Sequence, residues 1–211
     1  MNTLDQVRQA VVEGNWQATP EMARKAMSTG QEARAIMNAL VTGMDTVGEE
    51  WRVGNMFIPD VLLAAKAMHA GMDVIRPHLT AAETKLRGAV VIGTVQGDLH
   101  DIGKSLVGMM LEGAGFEVHD LGVDVSPAKF IEAVKQYQPN IVGMSALLTT
   151  TLSFMRDTIR TLEEAGVRSS VKVMVGGAPV TEQFAASIGA DGFAPDGATA
   201  VAKARELVEK N

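Results

Sequence analysis

The chain has 211 residues and a formal net charge of −6, and its composition of 46% hydrophobic and 21% charged residues excludes a disordered chain. No block of basic residues stands out, which argues against a nucleic acid or an anionic membrane as a partner, and the absence of cysteine excludes disulfides and thiolate metal sites. Because neither a signal-peptide pattern nor an apolar run of about 18 residues is present, we expect a cytoplasmic protein.

The first part of the chain, residues 1–87, has the pattern of packed helices. It holds only 6 of the 21 glycines, and apolar residues such as Ile36, Leu40 and Met44 recur every three or four positions. Thr19 before Pro20 predicts a helix N-cap followed by proline at the first helical position. We predict a helical domain over 1–87 that ends in a linker, Thr80–Gly88, and contains helices at 3–13, 18–28, 31–51 and 58–77.

The second part, residues 88–211, alternates short β-rich runs with helical stretches. The runs lie at 89–94, 117–122, 141–146, 172–177 and 192–195. The helical stretches are Ile102–Gly113, Pro127–Gln136, Thr151–Glu164, Pro179–Ser187 and Ala198–Lys210. This alternation predicts an α/β domain with a five-stranded parallel sheet covered on both faces. Because ligands bind at the carboxyl edge of such sheets, the loops that follow the strands should converge on one functional rim.

The loop after the first strand carries the most informative residues: Asp98, His100 and Asp101 precede a helix. It lacks the GxGxxG pattern of a dinucleotide loop and the Ser/Thr content of a flavodoxin phosphate loop. A carboxylate two residues before a histidine is able to hold one ring nitrogen and leave the other free as a metal ligand. The remaining histidines, His69, His78 and His119, form no cluster with it, so a closed zinc site lacks partners. A solvated loop histidine is the alternative.

Three motifs resemble those of one family, the corrinoid proteins of methyl-transfer systems. Gly97–Lys104 is similar to their cobalamin-binding D-x-H-x-x-G loop, Ser145–Leu147 to their S-x-L motif, and Gly176–Ala178 to their Gly-Gly element. Gly43–Pro59 resembles the helical cap of the same family and of cobalamin-dependent methionine synthase. The resemblance implies a flavodoxin-like, Rossmann-type cobalamin-binding domain at 88–211, preceded by a four-helix bundle cap at 1–87.

The resemblance also implies roles for individual residues. His100 would be the lower axial ligand of cobalt in a base-off/His-on corrinoid, with Asp98 and Thr151 as a relay behind it. The family's cofactor-binding positions correspond here to Gly97, Asp98, Leu99, His100, Asp101, Ile102, Gly103, Ser145, Leu147, Thr149, Thr151, Gly176, Gly177 and Ala178. Trp51 and Ile58 would shield the upper face of the corrinoid. Met37 stands where methionine synthase has a glutamate, so the resemblance does not extend to a polar contact from this position.

A methyl carrier is the function that the resemblance implies, with no catalytic site of its own. Cobalt would accept a methyl group from a substrate:corrinoid methyltransferase and pass it to a second methyltransferase that serves tetrahydrofolate or coenzyme M. A reductive activase would be a third partner, and residues 78–88 would be the hinge of a moving cap. The alternatives are a cobalamin-dependent sensor or regulator, the cobalamin subunit of a mutase, and a flavodoxin-like binding module without cobalt.

Overall fold

The computed structural model describes residues 2–79 and 87–209. The chain divides into two compact units. One holds the N-terminal helices and the segment Glu112–Gly115, and the other holds Arg87–Leu111 and the chain from Phe116 onward. None of the helices in the described ranges combines the length and the apolar character that a bilayer crossing needs.

The N-terminal unit is a bundle of helices, as the three-to-four-residue apolar spacing predicts. Its helices are α1 (Thr3–Val12), α2 (Ala18–Ser28), α3 (Ala33–Arg52) and α4 (Ile58–Ile75). Ile36, Met37, Leu40 and Val47 on α3 are fully buried, because they share the helix face that packs on its neighbours. Met37 therefore belongs to the bundle core.

The bounds of α2 agree with the predicted helix at 18–28, but its predicted N-cap and the predicted end of α4 are wrong. Thr19 is not an N-cap: α2 begins at Ala18, whose amide donates to the side chain of Asn15 (3.1 Å), and the Thr19 hydroxyl donates to the Asn15 carbonyl oxygen (2.7 Å). Pro20 fits inside the first turn because that turn needs no amide donor from it. At the other end, α4 stops at Ile75 and a 3-10 turn, Arg76–His78, follows. Residues 80–86 of the predicted linker and hinge lie outside the described residues.

The second unit is the predicted α/β domain. Its strands are β1 (Ala89–Thr94), β2 (Glu117–Asp120), β3 (Ile141–Ser145), β4 (Lys172–Gly176) and β5 (Gly192–Ala194). Its helices are α5 (Ile102–Gly113), α6 (Pro127–Tyr137), α7 (Leu152–Glu164), α8 (Glu182–Ser187) and α9 (Gly197–Glu209). All neighbouring strands are parallel, and their order is β2-β1-β3-β4-β5. This is the flavodoxin-like order that the resemblance implies.

Two helices of this unit begin later than predicted, because local hydrogen bonds replace their first turns. The α8 helix starts at Glu182 instead of Pro179, since the hydroxyl of Thr181 accepts from the Phe184 amide (3.1 Å) and forms the N-cap. The 3-10 turn Thr149–Thr151 precedes α7. The later start of α7 leaves Thr151 in the loop that follows β3.

The order of the strands reverses between β1 and β3, which is where open α/β sheets leave a crevice at the carboxyl edge. Thr94 at the end of β1 pairs with Ser145 at the end of β3, and the Val95 amide donates to the Ser145 carbonyl oxygen (3.0 Å). The loops that leave these two strands therefore start side by side. This register brings the motif loop after β1 against the loop after β3.

Candidate functional site

The loop between β1 and α5, residues 95–101, is called the His loop below. Its turn closes through a hydrogen bond from the Asp98 amide to the Val95 carbonyl oxygen (3.1 Å), with Gly97 at a φ of +79°. This left-handed conformation favours glycine. The buried hydroxyl of Thr94 donates to the His100 carbonyl oxygen (2.8 Å), which fixes the far side of the turn.

The carboxylate of Asp98 is fully buried and is surrounded by donors from two loops. Its Oδ1 accepts from the His100 amide (3.1 Å) and lies 2.6 Å from His100 Nδ1. Its Oδ2 accepts from the amides of Leu147 (2.7 Å) and Leu148 (3.1 Å) and from the hydroxyl of Thr151 (3.0 Å). Burial by itself raises the pKa of the Asp98 carboxyl group, but these hydrogen bonds outweigh it and hold that pKa well below its ordinary value.

The His100 ring has one nitrogen committed and one available. Because an ionised Asp98 only accepts, Nδ1 carries a proton, and in the neutral form of the ring the lone pair is on Nε2. Among the described residues Nε2 has no hydrogen-bond partner, and half of the side chain is exposed. A neutral imidazole fixed through Nδ1 by a carboxylate is the usual arrangement of a metal-ligating histidine.

Four apolar side chains are exposed on the His loop, at the start of α5 and on the loop after β3. Leu99 is 73% exposed and Ile102 is 89% exposed, and Leu147 and Leu148 on the loop after β3 are also exposed. Gly103 adds open space, since a Cβ atom there would meet no described atom within 4 Å. The protein's own packing does not require a glycine at this position. Exposed apolar side chains next to such open space fit a large, mostly apolar ligand.

A single histidine ligand also fits a metal that is already bound by a macrocycle. In residues 2–79 and 87–209, no group of three or more His, Asp or Glu side chains is arranged to hold a metal ion. A lone imidazole suits a metal whose equatorial positions are already filled. The residues present therefore fit a corrinoid held through His100.

The other predicted cofactor positions lie along the same carboxyl edge of the sheet. Ser145 and Gly176 are paired at the ends of β3 and β4, and Thr149 is exposed in the turn before α7. The backbone around residues 176 and 177 gives a further reason why both are glycines. A Cβ atom on Gly176 would lie 2.5 Å from the Ala194 carbonyl oxygen, and one on Gly177, at a φ of +122°, would overlap the Ala146 carbonyl oxygen. The backbone itself thus requires both glycines, whatever binds beside them.

Trp51 and Ile58 belong to the helical unit. Trp51 is half-buried near the end of α3, and Ile58 is 51% exposed at the start of α4. Phe57, to which the sequence interpretation gave no role, is 68% exposed, and its amide donates to the Asp60 carboxylate (2.8 Å).

Three polar residues around the His loop, Lys104, Asp120 and Asp124, were given no role of their own by the sequence interpretation. Lys104 is buried, with Nζ 2.8 Å from Asp101 Oδ1 and in an ion pair with Asp120 Oδ2. The hydrogen bond from Lys104 lowers the pKa of the Asp101 carboxyl group. Asp124 accepts from the Gly97 amide (2.7 Å). Asp120 ends β2, and Asp124 lies four residues later in the loop at the carboxyl edge of the sheet. Two acidic residues in a loop that follows a strand were the sequence feature that pointed to them.

Comparison with known proteins agrees with this geometry. The B12-binding domain family matches residues 88–205, and a second B12-binding domain family matches residues 3–76. A dimethylamine corrinoid protein of Methanosarcina mazei is 46% identical over 206 residues, which span 97% of this chain and 95% of that protein. This chain belongs to the family of corrinoid proteins of methyltransferase systems.

Solved structures related to this corrinoid protein cover both of its units. A cobalamin-binding protein from Desulfitobacterium hafniense is 38% identical, covers 97% of this chain and 98% of its own, and has a TM-score of 0.81. The methanol:cobalamin methyltransferase complex MtaBC from Methanosarcina barkeri contains a chain that is 28% identical, with a TM-score of 0.88. The match covers 97% of this corrinoid protein and 79% of that chain.

Proposed function

We propose that this corrinoid protein is a methyl carrier, loaded by one methyltransferase and unloaded by another. The observation that carries the proposal is the 2.6 Å contact between Asp98 Oδ1 and His100 Nδ1, which leaves Nε2 available at an exposed apolar rim. When bound, the corrinoid supplies the cobalt that accepts and releases the methyl group, so the protein's part is to hold, orient and shield.

The chain's own residues would divide these tasks between them. His100 Nε2 would serve as the lower axial ligand in a base-off/His-on state. The buried carboxylate of Asp98 keeps the proton on Nδ1 and fixes the ring, and Thr151 donates to the opposite carboxylate oxygen (3.0 Å). Because Asp98 is held by a second loop, the ligand is oriented by the sheet and not only by its own turn.

Binding of the corrinoid would involve the His loop and the loops after β3 and β4. We propose contacts from the positions that the resemblance implies: Gly97, Asp98, Leu99, His100, Asp101, Ile102, Gly103, Ser145, Leu147, Thr149, Thr151, Gly176, Gly177 and Ala178. Trp51 and Ile58 are proposed to exclude water from the methyl-bearing face. The exposure of Ile58 (51%) and Leu99 (73%) supports this, since each side chain offers apolar surface to a ligand.

The partners are proposed from the chemistry of a carrier and from the names of its relatives. Similarity to a dimethylamine corrinoid protein supports a methylated amine as the first donor to test, through a donor-specific methyltransferase. The second methyltransferase would deliver to tetrahydrofolate or coenzyme M, and a reductive activase would restore oxidised cobalt. Methyl transfer to each acceptor, measured with the purified second enzymes, distinguishes the two acceptors.

The ligand assignment is tested by reconstituting the apoprotein with hydroxocobalamin and recording the visible spectrum. We expect the wild type to show a base-off/His-on spectrum, and His100→Ala to keep cofactor but lose the histidine-coordinated spectrum. His78→Ala is the matched control, because His78 is an exposed histidine outside the His loop. A His100→Ala spectrum identical to that of the wild type contradicts the assignment.

A further inference from the structure

The His loop is also held from the side of β2, by carboxylates outside the D-x-H-x-x-G motif. Asp120 ends β2, and Asp124 lies in the segment that follows it. This segment runs alongside the His loop, since Val95 and Val125 form a parallel bridge. The Val125 amide also donates to the Thr94 carbonyl oxygen (2.9 Å).

Asp124 grips the backbone on both sides of the residue that orients the imidazole. Its Oδ1 accepts from the Gly97 amide (2.7 Å), and its own amide donates to the Asp98 carbonyl oxygen (3.0 Å). To do so, Asp124 adopts a φ of +52°, a left-handed conformation that aspartate tolerates better than most residues. Asp124 therefore fixes the peptide group between residues 96 and 97 and the peptide group that follows Asp98.

Lys104 holds the far end of the His loop. Its side chain is only 1% exposed, and its ammonium group pairs with Asp101, next to His100, and with Asp120 on β2. The other oxygen of Asp120 accepts from the Gly122 amide (2.8 Å), so this carboxylate is fixed as well. A buried ammonium between two carboxylates ties the start of α5 to the end of the neighbouring strand.

We infer that Asp124 and Lys104 are positioning residues, which hold the His loop from the β2 side so that the imidazole is oriented before the corrinoid arrives. This inference rests on the proposed function, because it concerns the ligand that His100 would provide. When a loop must become ordered on binding, the free energy of ordering it weakens the affinity for the ligand. A loop that is already ordered avoids this cost. The Asp98 carboxylate then contacts the imidazole from a loop whose backbone is already held by Asp124 and Lys104.

Substitutions at Asp124 separate its hydrogen bond from its backbone conformation. Asp124→Asn keeps a side-chain acceptor and tolerates the left-handed conformation, so we expect wild-type behaviour. Asp124→Gly relieves the conformation but removes the acceptor, and we expect hydroxocobalamin affinity to fall about tenfold, with a smaller histidine-coordinated fraction in the visible spectrum. Rescue by asparagine but not by glycine is the signature of positioning through the hydrogen bond.

Lys104→Met is the second test, because methionine fills the buried space without the charge. Its partners Asp101 and Asp120 are about half exposed, so water solvates them when the ammonium is removed and the protein should stay folded. We expect the same spectral change as for Asp124→Gly. Asp191→Ala is the control: Asp191 accepts from Arg168 (2.7 Å) and from the Val173 amide (2.7 Å) at the opposite edge of the sheet.

Amide hydrogen exchange of the apoprotein adds a readout that needs no cofactor. We expect faster exchange at Gly97 and His100 in Asp124→Gly, and no change there in Asp191→Ala. The inference is overturned when both site variants bind hydroxocobalamin with wild-type affinity and spectrum, and equally when Gly97 and His100 in Asp124→Gly exchange at the wild-type rate. A wild type that never acquires the histidine-coordinated spectrum overturns the proposed function instead, and this inference with it.

Discussion

The Thr151 hydroxyl oxygen lies 3.0 Å from Asp98 Oδ2, although 53 residues separate the two in the chain. Both residues are buried, and the same hydroxyl lies 2.9 Å from the Leu148 carbonyl oxygen. Together with the amides of Leu147 and Leu148, it makes the loop after β3 the support of the carboxylate that orients His100. The proposed metal ligand thus depends on a contact between two separate sheet loops.

Thr151→Val should lower the free energy of unfolding of the apoprotein by about 1–3 kcal/mol. Valine keeps the shape of threonine but leaves a buried carboxylate oxygen with one donor fewer. Thr151→Ser is the control, because it retains the hydroxyl. Urea unfolding measures both variants, and equal losses for valine and serine would show that the hydroxyl contributes nothing.

Asp98→Asn should change the tautomer of His100. Three donors converge on Oδ2, so the amide oxygen of asparagine would take that place and its NH2 group would face the imidazole. The NH2 group would donate to Nδ1, which moves the ring proton to Nε2 and blocks metal coordination. Nitrogen NMR of the histidine ring in the apoprotein reads the tautomer directly. An unchanged Nδ1–H tautomer in the variant contradicts this prediction.

Acid should weaken the apoprotein partly through Asp98. The pKa of this carboxyl group is lower in the folded protein than in the unfolded chain, so below about pH 4 the unfolded chain binds the extra proton. The stabilising contribution is complete above that pH and is lost as the pH falls toward the folded-state pKa. Comparing urea unfolding of the wild type and Asp98→Asn between pH 6 and pH 3 (about the range that brackets this titration) should show a difference that shrinks at the acid end. A constant difference would exclude Asp98 as a source of the acid sensitivity.

Gly103→Ala should have opposite effects on the empty and the loaded protein. Alanine favours the helix by about 0.5–1 kcal/mol, and its Cβ would meet no described atom within 4 Å, so the apoprotein should become slightly more stable. If the corrinoid uses this space, the added methyl group should weaken hydroxocobalamin binding by about 1–3 kcal/mol. Thermal unfolding of the apoprotein and a binding titration measure the two effects. Undiminished affinity would remove Gly103 from the proposed binding positions.

Much of the architecture follows from short stretches of the sequence. Residues 89–94 are an uninterrupted β-rich run, and the strand bounds match the prediction there because a central parallel strand is buried on both faces. Helix ends were less well predicted. Threonine and asparagine are both common N-cap residues, so N-cap preferences alone do not distinguish Thr19 from Asn15. In the structure Asn15 accepts the hydrogen bond from the first amide of α2.

The sequence by itself predicted Asp98 and His100 as a pair, because a spacing of two residues within one turn allows their side chains to meet. Only the tertiary structure decided that Leu147, Leu148 and Thr151 hold Asp98 from one side, and that Lys104 and Asp124 hold the loop from the other. The physical reason is that such contacts depend on strand order and register. Neighbouring loops in a parallel sheet come from distant segments, and their distance in space is not written in the local pattern of either one.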